Sequence, residues 1–223
     1  MNRISSITLG ILLLSLVARD ATAQWNVARF GTERSSVYTT LGLDPAIVTS
    51  LGYARVTSLF GRDVQLSGEV GVAAAKLDAN DFRVRLGTQA SLLRRGPLQL
   101  TGSATFSTRG TQNAIYRGIN FGADFASTLG VYAQGWFAAG EFGFDKAVIT
   151  HVTLSDYYRE HYYPDAKDGW YLNAGGTYRY GVTGGFTMGR AQLAGRAGWL
   201  RSEYDKSDLM PPFYASVGLG FGF

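Results

Sequence analysis

Ser216-Val217-Gly218-Leu219-Gly220-Phe221-Gly222-Phe223 closes the chain and alternates without a break. Successive side chains of a strand point to opposite faces. Val217, Leu219, Phe221 and Phe223 therefore share one large apolar face. Gly218, Gly220 and Gly222 share the other, which suits a narrow interior with little room for side chains. As the free edge of a soluble sheet such a strand would invite aggregation. Facing hydrocarbon, the same residues are at ease.

The same period of two recurs upstream. Phe82, Val84, Leu86, Ala90 and Leu92 alternate with Arg83, Arg85, Gly87, Gln89 and Ser91. Leu98, Leu100, Gly102, Ala104 and Phe106 alternate with Gln99, Thr101, Ser103 and Thr105. Val64, Leu66, Val70 and Val72 oppose Gln65, Ser67, Glu69 and Gly71; Trp170, Leu172, Tyr178 and Tyr180 oppose Tyr171, Asn173, Thr177 and Arg179. These segments run ~10–14 residues, beyond the 5–6 typical of soluble strands and long enough for the ~9–11 of a tilted membrane strand. Aromatics stand near strand ends, where interfacial girdles sit, at Phe60, Tyr116, Tyr132, Phe144, Trp170, Tyr180 and Trp199.

Short turns at Phe60-Gly61-Arg62-Asp63, Arg95-Gly96-Pro97, Thr128-Leu129-Gly130 and Met188-Gly189-Arg190 alternate with longer connections at Ser107 to Ile115, Asp145 to Asp168 and Glu203 to Pro212. Two other connections, near Leu43-Asp44-Pro45 and Leu77 to Asn80, are short. The pattern predicts an all-β fold, a transmembrane antiparallel up-and-down β-barrel. Its strands lie near Ser35–Leu43, Ile47–Leu59, Val64–Lys76, Asp81–Leu93, Leu98–Phe106, Tyr116–Ser127, Val131–Phe144, Gly169–Thr187, Ala191–Tyr204 and Phe213–Phe223. That makes ten, with eight or twelve as alternatives.

The start of the chain predicts export. Met1-Asn2-Arg3 is basic, Ile4 to Ala18 is apolar, and Ala21-Thr22-Ala23 is a small-x-small cleavage site. Residues 1–23 read as a signal peptide, 24–33 as a short periplasmic lead-in and 34–223 as the barrel. No later stretch reaches the 18 apolar residues of a membrane helix. A net charge of +4 without clustered Lys and Arg argues against nucleic acid. The absence of cysteine suits a barrel, whose backbone closes on itself without disulfides.

The chain end also resembles the C-terminal assembly signal of outer-membrane barrels of Gram-negative bacteria. That pattern is polar, any, Gly, any, any, hydrophobic, any, aromatic, and Ser216, Gly218, Phe221 and Phe223 fill its places. The resemblance implies an integral protein of the cell outer membrane. It implies insertion by the barrel-assembly machinery and contact with outer-membrane lipid and lipopolysaccharide. It reaches no particular family within the small single-chain barrels, and a monomer is expected.

If Phe223 faces lipid, the alternate faces turn inward, with Arg55, Glu69, Arg83, Arg85, Asp124, Glu141, Arg179 and Arg196 expected in the lumen. A charge on the lipid face costs about 2–4 kcal/mol at the midplane, and pointing inward avoids this. Inside, the groups interlock as a polar core that closes the lumen, the favoured reading. The alternative is a narrow, porin-like passive channel or a small-anion site. Ten strands lie nearer the filled eight-stranded barrel than the open pores of 16–18.

No paired Cys or His spacing, Walker loop or dinucleotide fingerprint appears, so no metal or cofactor is expected. Both histidines, His151 and His161, are read as lying in the longest outer loop, beside Ser155, Asp156, Glu160 and Asp165. A nucleophile–base–acid unit is arithmetically possible there, which keeps an outer-membrane lipid-modifying enzyme as a second alternative; the chain is read as non-catalytic. The surface-binding candidates of that loop are His151, Tyr157, Tyr158, Arg159, His161, Tyr162 and Tyr163, since Tyr offers contact area at small entropy cost.

Overall fold

A computed structural model of the protein describes residues 25–44, 46–73, 80–173, 175–203 and 212–223. The signal-peptide expectation for residues 1–23, and the strand ends expected at Lys76 and Tyr204, lie outside them. The described strands are β1 (Ser35–Asp44), β2 (Ala46–Leu59), β3 (Arg62–Ala73), β4 (Phe82–Arg95), β5 (Leu98–Gln112) and β6 (Tyr116–Tyr132). They continue with β7 (Trp136–Leu154), β8 (Gly169–Leu172), β9 (Thr177–Met188), β10 (Ala191–Ser202) and β11 (Phe213–Gly222). One short helix, α1 (Asp156–His161), follows β7.

Apart from β8 and β9, which do not pair with each other, each strand pairs antiparallel with its chain neighbours, and β1 pairs with β11, so the sheet closes into a ring. β8 and β9 both lie against β7, β8 at Ile149 to Val152 and β9 at Trp136 to Asp145. Together they form one stave, interrupted where the sequence predicts a continuous Gly169–Thr187. The barrel therefore has ten staves, as predicted. The seam runs from Ser36 opposite Gly222 to Leu43 opposite Ala215. Its last rung is a reciprocal pair: Ser35 N donates to Phe223 O at 3.1 Å and Phe223 N donates to Ser35 O at 2.8 Å. A closed ring leaves no unpaired edge, the condition for a sheet in hydrocarbon.

The two ends differ. Phe223, Ser35 and the tight turns lie at one end, called here the terminal end; the longer connections lie at the loop end. In the β2–β3 turn Phe60 (φ 52°) and Gly61 (φ 74°) are both left-handed. Two such residues make the hairpin turn whose twist matches the flanking strands. Glycine adopts this backbone freely, whereas Phe60 does so at a steric penalty.

Three strands outrun their predicted C-terminal bounds by five residues or more. β5 extends to Gln112, β6 to Tyr132, and β7 from Trp136 to Leu154. The turn predicted at Thr128-Leu129-Gly130 sits instead at residues 133–135, because alternation persists through it: Thr128 and Tyr132 are buried and Leu129 is exposed. The loop predicted from Ser107 shrinks to 113–115, and the one predicted from Asp145 begins at Ser155. At 19 residues β7 exceeds what a bilayer crossing needs. Its far half projects past the crossing length, and α1 packs against it through Tyr158, Tyr116, Val152 and Leu154.

β7 also carries a bulge. Phe121 faces Ile149 and Gly122 faces Ala147, leaving Val148 as the extra residue. One extra residue inverts which side chains face inward. Below it Phe137, Ala139, Glu141, Asp145 and Ala147 are buried; above it Thr150, Val152 and Leu154 are.

Two substitutions test this geometry by urea unfolding in lipid vesicles. Phe60→Asn removes a left-handed phenylalanine and is expected to stabilise by about 1 kcal/mol. Gly52→Val places a side chain where the Tyr38 ring lies and is expected to destabilise by about 1–3 kcal/mol; an unchanged midpoint would show that β2 does not turn this face inward.

Candidate functional site

The barrel wall sorts its residues sharply. Leu51, Val70, Leu86, Phe106, Phe125, Leu129, Phe142, Val182, Phe186, Leu219 and Phe221 are all more than 45 % exposed and turn outward. Val217 and Phe223 share that outward face, while Gly218, Gly220 and Gly222 are buried on the lumen side. Ser216, half-buried, also falls on the lumen-side alternation.

Seven of the eight charges expected in the lumen are buried: Glu69, Arg83, Arg85, Asp124, Glu141, Arg179 and Arg196. Arg55 is the correction. It is exposed, on the same face as Leu51 and Tyr53, while Ala54 and Val56 point inward. It stands opposite Ser35 at the terminal end, where a charge is far cheaper than at the midplane. Asp145, which the sequence reading leaves in a loop, is a further buried lumen residue, on β7 opposite Asp124 and Thr177. Among the described residues the buried charges are thus four acids and four arginines.

Six of these charges form two clusters. On one wall Arg179 of β9 grips both oxygens of Asp124 on β6, with Nη2 3.0 Å from Oδ1. Its Nε donates to Glu141 Oε1 of β7 at 2.6 Å, and Arg196 of β10 donates to the same oxygen. The Arg196 guanidinium also lies 5.2 Å from the Tyr214 ring centre. Four staves are tied together this way. On the other wall Arg85 of β4 donates to Glu69 of β3, its direct cross-strand partner. Both clusters line one cavity, together with Gln65, Ser67, Gln89, Ser103 and Thr105. The forked arginine geometry suits bidentate pairing, and pairing is what makes buried charge tolerable.

Uncharged polar chains continue the lining. Thr101 and Thr128 hydroxyls meet at 2.6 Å, and Thr128 meets the Tyr132 hydroxyl at 2.5 Å. Nearer the loop end Asn120 donates to Thr150 at 2.7 Å, and Thr150 to Asn173 at 2.8 Å.

The sequence reading names the lead-in but not its docking. Residues 25–30 lodge inside the terminal end of the lumen, with Trp25, Asn26, Val27 and Phe30 buried. They pack with Tyr38, Ala54, Val56, Tyr132, Phe137 and Ala194, an apolar ring on otherwise polar inner faces. Trp25 meets Tyr38 at 5.0 Å between ring centres. The signal was present: three large apolar residues within Trp25-Asn26-Val27-Ala28-Arg29-Phe30, and inward-facing Ala54 and Val56 to receive them.

The loop-end candidates do not converge. His151 lies on β7 above the bulge, not in a loop, and faces outward with its ring edge-on to Trp170 at 4.8 Å. His161, at the end of α1, stacks on Tyr157 at 4.4 Å and reaches the Tyr157 carbonyl with Nδ1 at 3.0 Å. Ser155 caps α1 by accepting from Tyr158 N, and its hydroxyl donates to Ala114 O at 2.8 Å. Tyr158 is buried in the loop's own packing, whereas Tyr157, Tyr162 and Tyr163 remain about half exposed. Arg159 pairs with Asp156 at 3.3 Å and Asp168 at 2.6 Å. Asp168 accepts the Leu154 N–H at 2.8 Å, and this bond, aided by Arg159, holds its carboxyl below the usual carboxylate range.

No family model and no curated protein matches the chain. Among solved structures it is similar to an outer membrane channel from Pseudomonas putida F1, with a TM-score of 0.47 and 11% identity, covering 93% of this chain and 100% of that one. It is similar to the beta domain of the Bordetella autotransporter BrkA, with a TM-score of 0.43 and 13% identity, covering 86% of this chain and 100% of that one. It is also similar to LpxR from Salmonella typhimurium, with a TM-score of 0.38 and 12% identity, covering 92% of this chain and 79% of that one. All three scores lie below 0.5, so the barrel assignment stands on the strand pairing itself.

Removing Arg179 leaves Asp124 and Glu141 short of their main cation. Arg179→Ala is expected to cost about 3–5 kcal/mol of stability, read from urea unfolding in vesicles; a loss below 1 kcal/mol would show the pairs to be solvated. Asp168 gives a pH test. A carboxyl whose pKa falls on folding stabilises the folded loop above its unfolded pKa, and that contribution disappears as pH drops through the folded value. Protease cleavage between residues 155 and 168 is therefore expected to stay flat from neutrality down to about pH 4 and to rise below it. Asp168→Asn should show the raised cleavage already at neutral pH.

Proposed function

We propose that the protein is an integral, monomeric barrel of a Gram-negative outer membrane, with a structural or surface-interaction role rather than a catalytic one. One observation carries the reading: an apolar exterior encloses charges paired within the lumen. In water the exterior would be a liability far beyond the patches tolerated on soluble monomers; in lipid it is the required surface. The terminal end then faces the periplasm, the loop end faces outward, and the C-terminal strand serves the assembly machinery. Outer-membrane lipid and lipopolysaccharide contact the wall.

The lumen is closed in this reading. Paired arginines and carboxylates span β6, β7, β9 and β10, and the lead-in fills the periplasmic mouth. The loop-end tyrosines, with Tyr157, Tyr162 and Tyr163 turned to solvent, are the surface offered to other molecules. The hydrogen bonds of Asp168, Ser155 and His161 fix the loop rather than aim a base at a hydroxyl. This supports a non-catalytic role.

Planar-bilayer recording of the purified mature chain tests the closed lumen: silence is expected, and steady ion steps would replace it with the narrow-channel reading. Lipid A profiles with and without the gene test the non-catalytic role. An unchanged mass spectrum is expected, and a change abolished by His151→Ala would establish a lipid-modifying enzyme.

A further inference from the structure

The barrel ring is complete from Ser35 onward, so residues 25–33 add nothing to the β-ladder. They form a compact unit of their own. Asn26 caps a 3-10 turn at Val27–Arg29 by accepting from Ala28 N at 3.1 Å, and Arg29 pairs with Glu33. Gly31 and Thr32, exposed, lead on towards β1.

Besides the apolar packing of Trp25, Val27 and Phe30, the unit is tied to the wall through side chains and turn carbonyls. Asn26 Nδ2 donates to Ala133 O at 2.6 Å, and Arg29 donates to Gln134 O at 3.2 Å and Gly189 O at 2.9 Å. Gln134 donates back to Ala28 O at 3.0 Å. These bonds reach the β6–β7 and β9–β10 turns, so they bridge the mouth. Deeper in, Trp25 exchanges two hydrogen bonds with the Gln89 amide, at 3.3 and 3.2 Å. None of these bonds, nor the apolar packing of Trp25, Val27 and Phe30 beside them, is a rung of the barrel ladder, so the unit can leave without opening the barrel.

Directly beyond Trp25 lies the polar cavity lined by Glu69, Arg85, Glu141 and Arg196. Glu141 Oε2 is buried there without a hydrogen-bond partner among the described residues. A carboxylate oxygen left so at the wall of a polar space calls for water. Trp25 and Tyr38 thus separate a wet charged interior from the mouth.

We propose that residues 25–33 are a displaceable plug, and that Trp25 is the seal between the periplasmic mouth and a polar path for water and small inorganic ions. This rests on the closed-lumen reading above and assigns the closure to the lead-in, with the ion pairs lining the walls of the cavity. Release of the plug exposes both charge clusters, and because acids and arginines are balanced the path carries small ions of either sign.

The test is single-channel recording in KCl on the full mature chain and on Trp25→Ala/Asn26→Ala. The wild type is expected to be silent and the variant to give discrete ion steps. A variant that keeps heat-modifiable gel mobility, and is therefore folded, yet stays as silent as the wild type overturns the plug while leaving the closed lumen standing. A wild type that conducts steadily overturns the closed lumen first, and the plug with it. A second measurement avoids disrupting the seal. The chain has no cysteine, so Ala28→Cys and Gly31→Cys each carry a single thiol, the first half-buried and the second exposed. With the plug seated, Ala28→Cys is expected to react with a charged thiol reagent at least about tenfold more slowly than Gly31→Cys; equal rates overturn the proposal.

Discussion

A sheet surrounded by hydrocarbon has no water to satisfy its edges, and the β1–β11 seam is where this chain meets that constraint. Nine predicted strands would leave an open slot; the tenth closes it through pairs running from Ser36–Gly222 to Leu43–Ala215. Once the ring is shut, each strand has an outside in lipid and an inside away from it. Charged side chains at membrane depth then turn inward, and the ion pairs follow from that placement rather than causing it.

The pairs in turn set what the lumen can be. Ten strands leave an interior that side chains nearly fill, and here those side chains carry formal charge. An unpaired carboxylate or guanidinium would be prohibitive, so Arg179 is shared between Asp124 and Glu141, and Glu141 between Arg179 and Arg196. Such sharing ties strands distant in sequence and gives the barrel a stiff side. Towards the terminal end the inner faces change character to Ala54, Val56, Phe137 and Ala194, and the lead-in docks there through Trp25, Val27 and Phe30. A single tube thus holds a polar core and an apolar socket in series.

Much of this was legible in the sequence, because period-two alternation reports directly on a two-sided wall. It located ten staves and put Glu69, Arg83, Arg85, Asp124, Glu141, Arg179 and Arg196 inside. Arg55 was misplaced although it shares parity with Leu51 and Tyr53; a charge near the terminal rim lies outside the depth at which lipid forbids it. The β7 bulge left no mark in Ala147-Val148-Ile149, yet that one residue decides that His151 faces outward. The ends of β5, β6 and β7 were drawn too short because turn signals such as Thr128-Leu129-Gly130 were read as breaks where alternation continues. Residues 24–33 were read as a short periplasmic lead-in, and their docking inside the mouth was not legible from periodicity, because a segment that binds as a short turn shows no alternation.

The most direct measurement compares single-tryptophan variants in vesicles whose acyl chains carry bromine, a short-range quencher. Trp136 and Trp199 are exposed on the wall and Trp25 is buried in the lumen. Strong quenching of Trp136 and Trp199, with Trp25 left almost at its unquenched intensity, is the result the inside–outside assignment requires. Quenching of Trp25 alone, or of none of the three in a folded preparation, would contradict it.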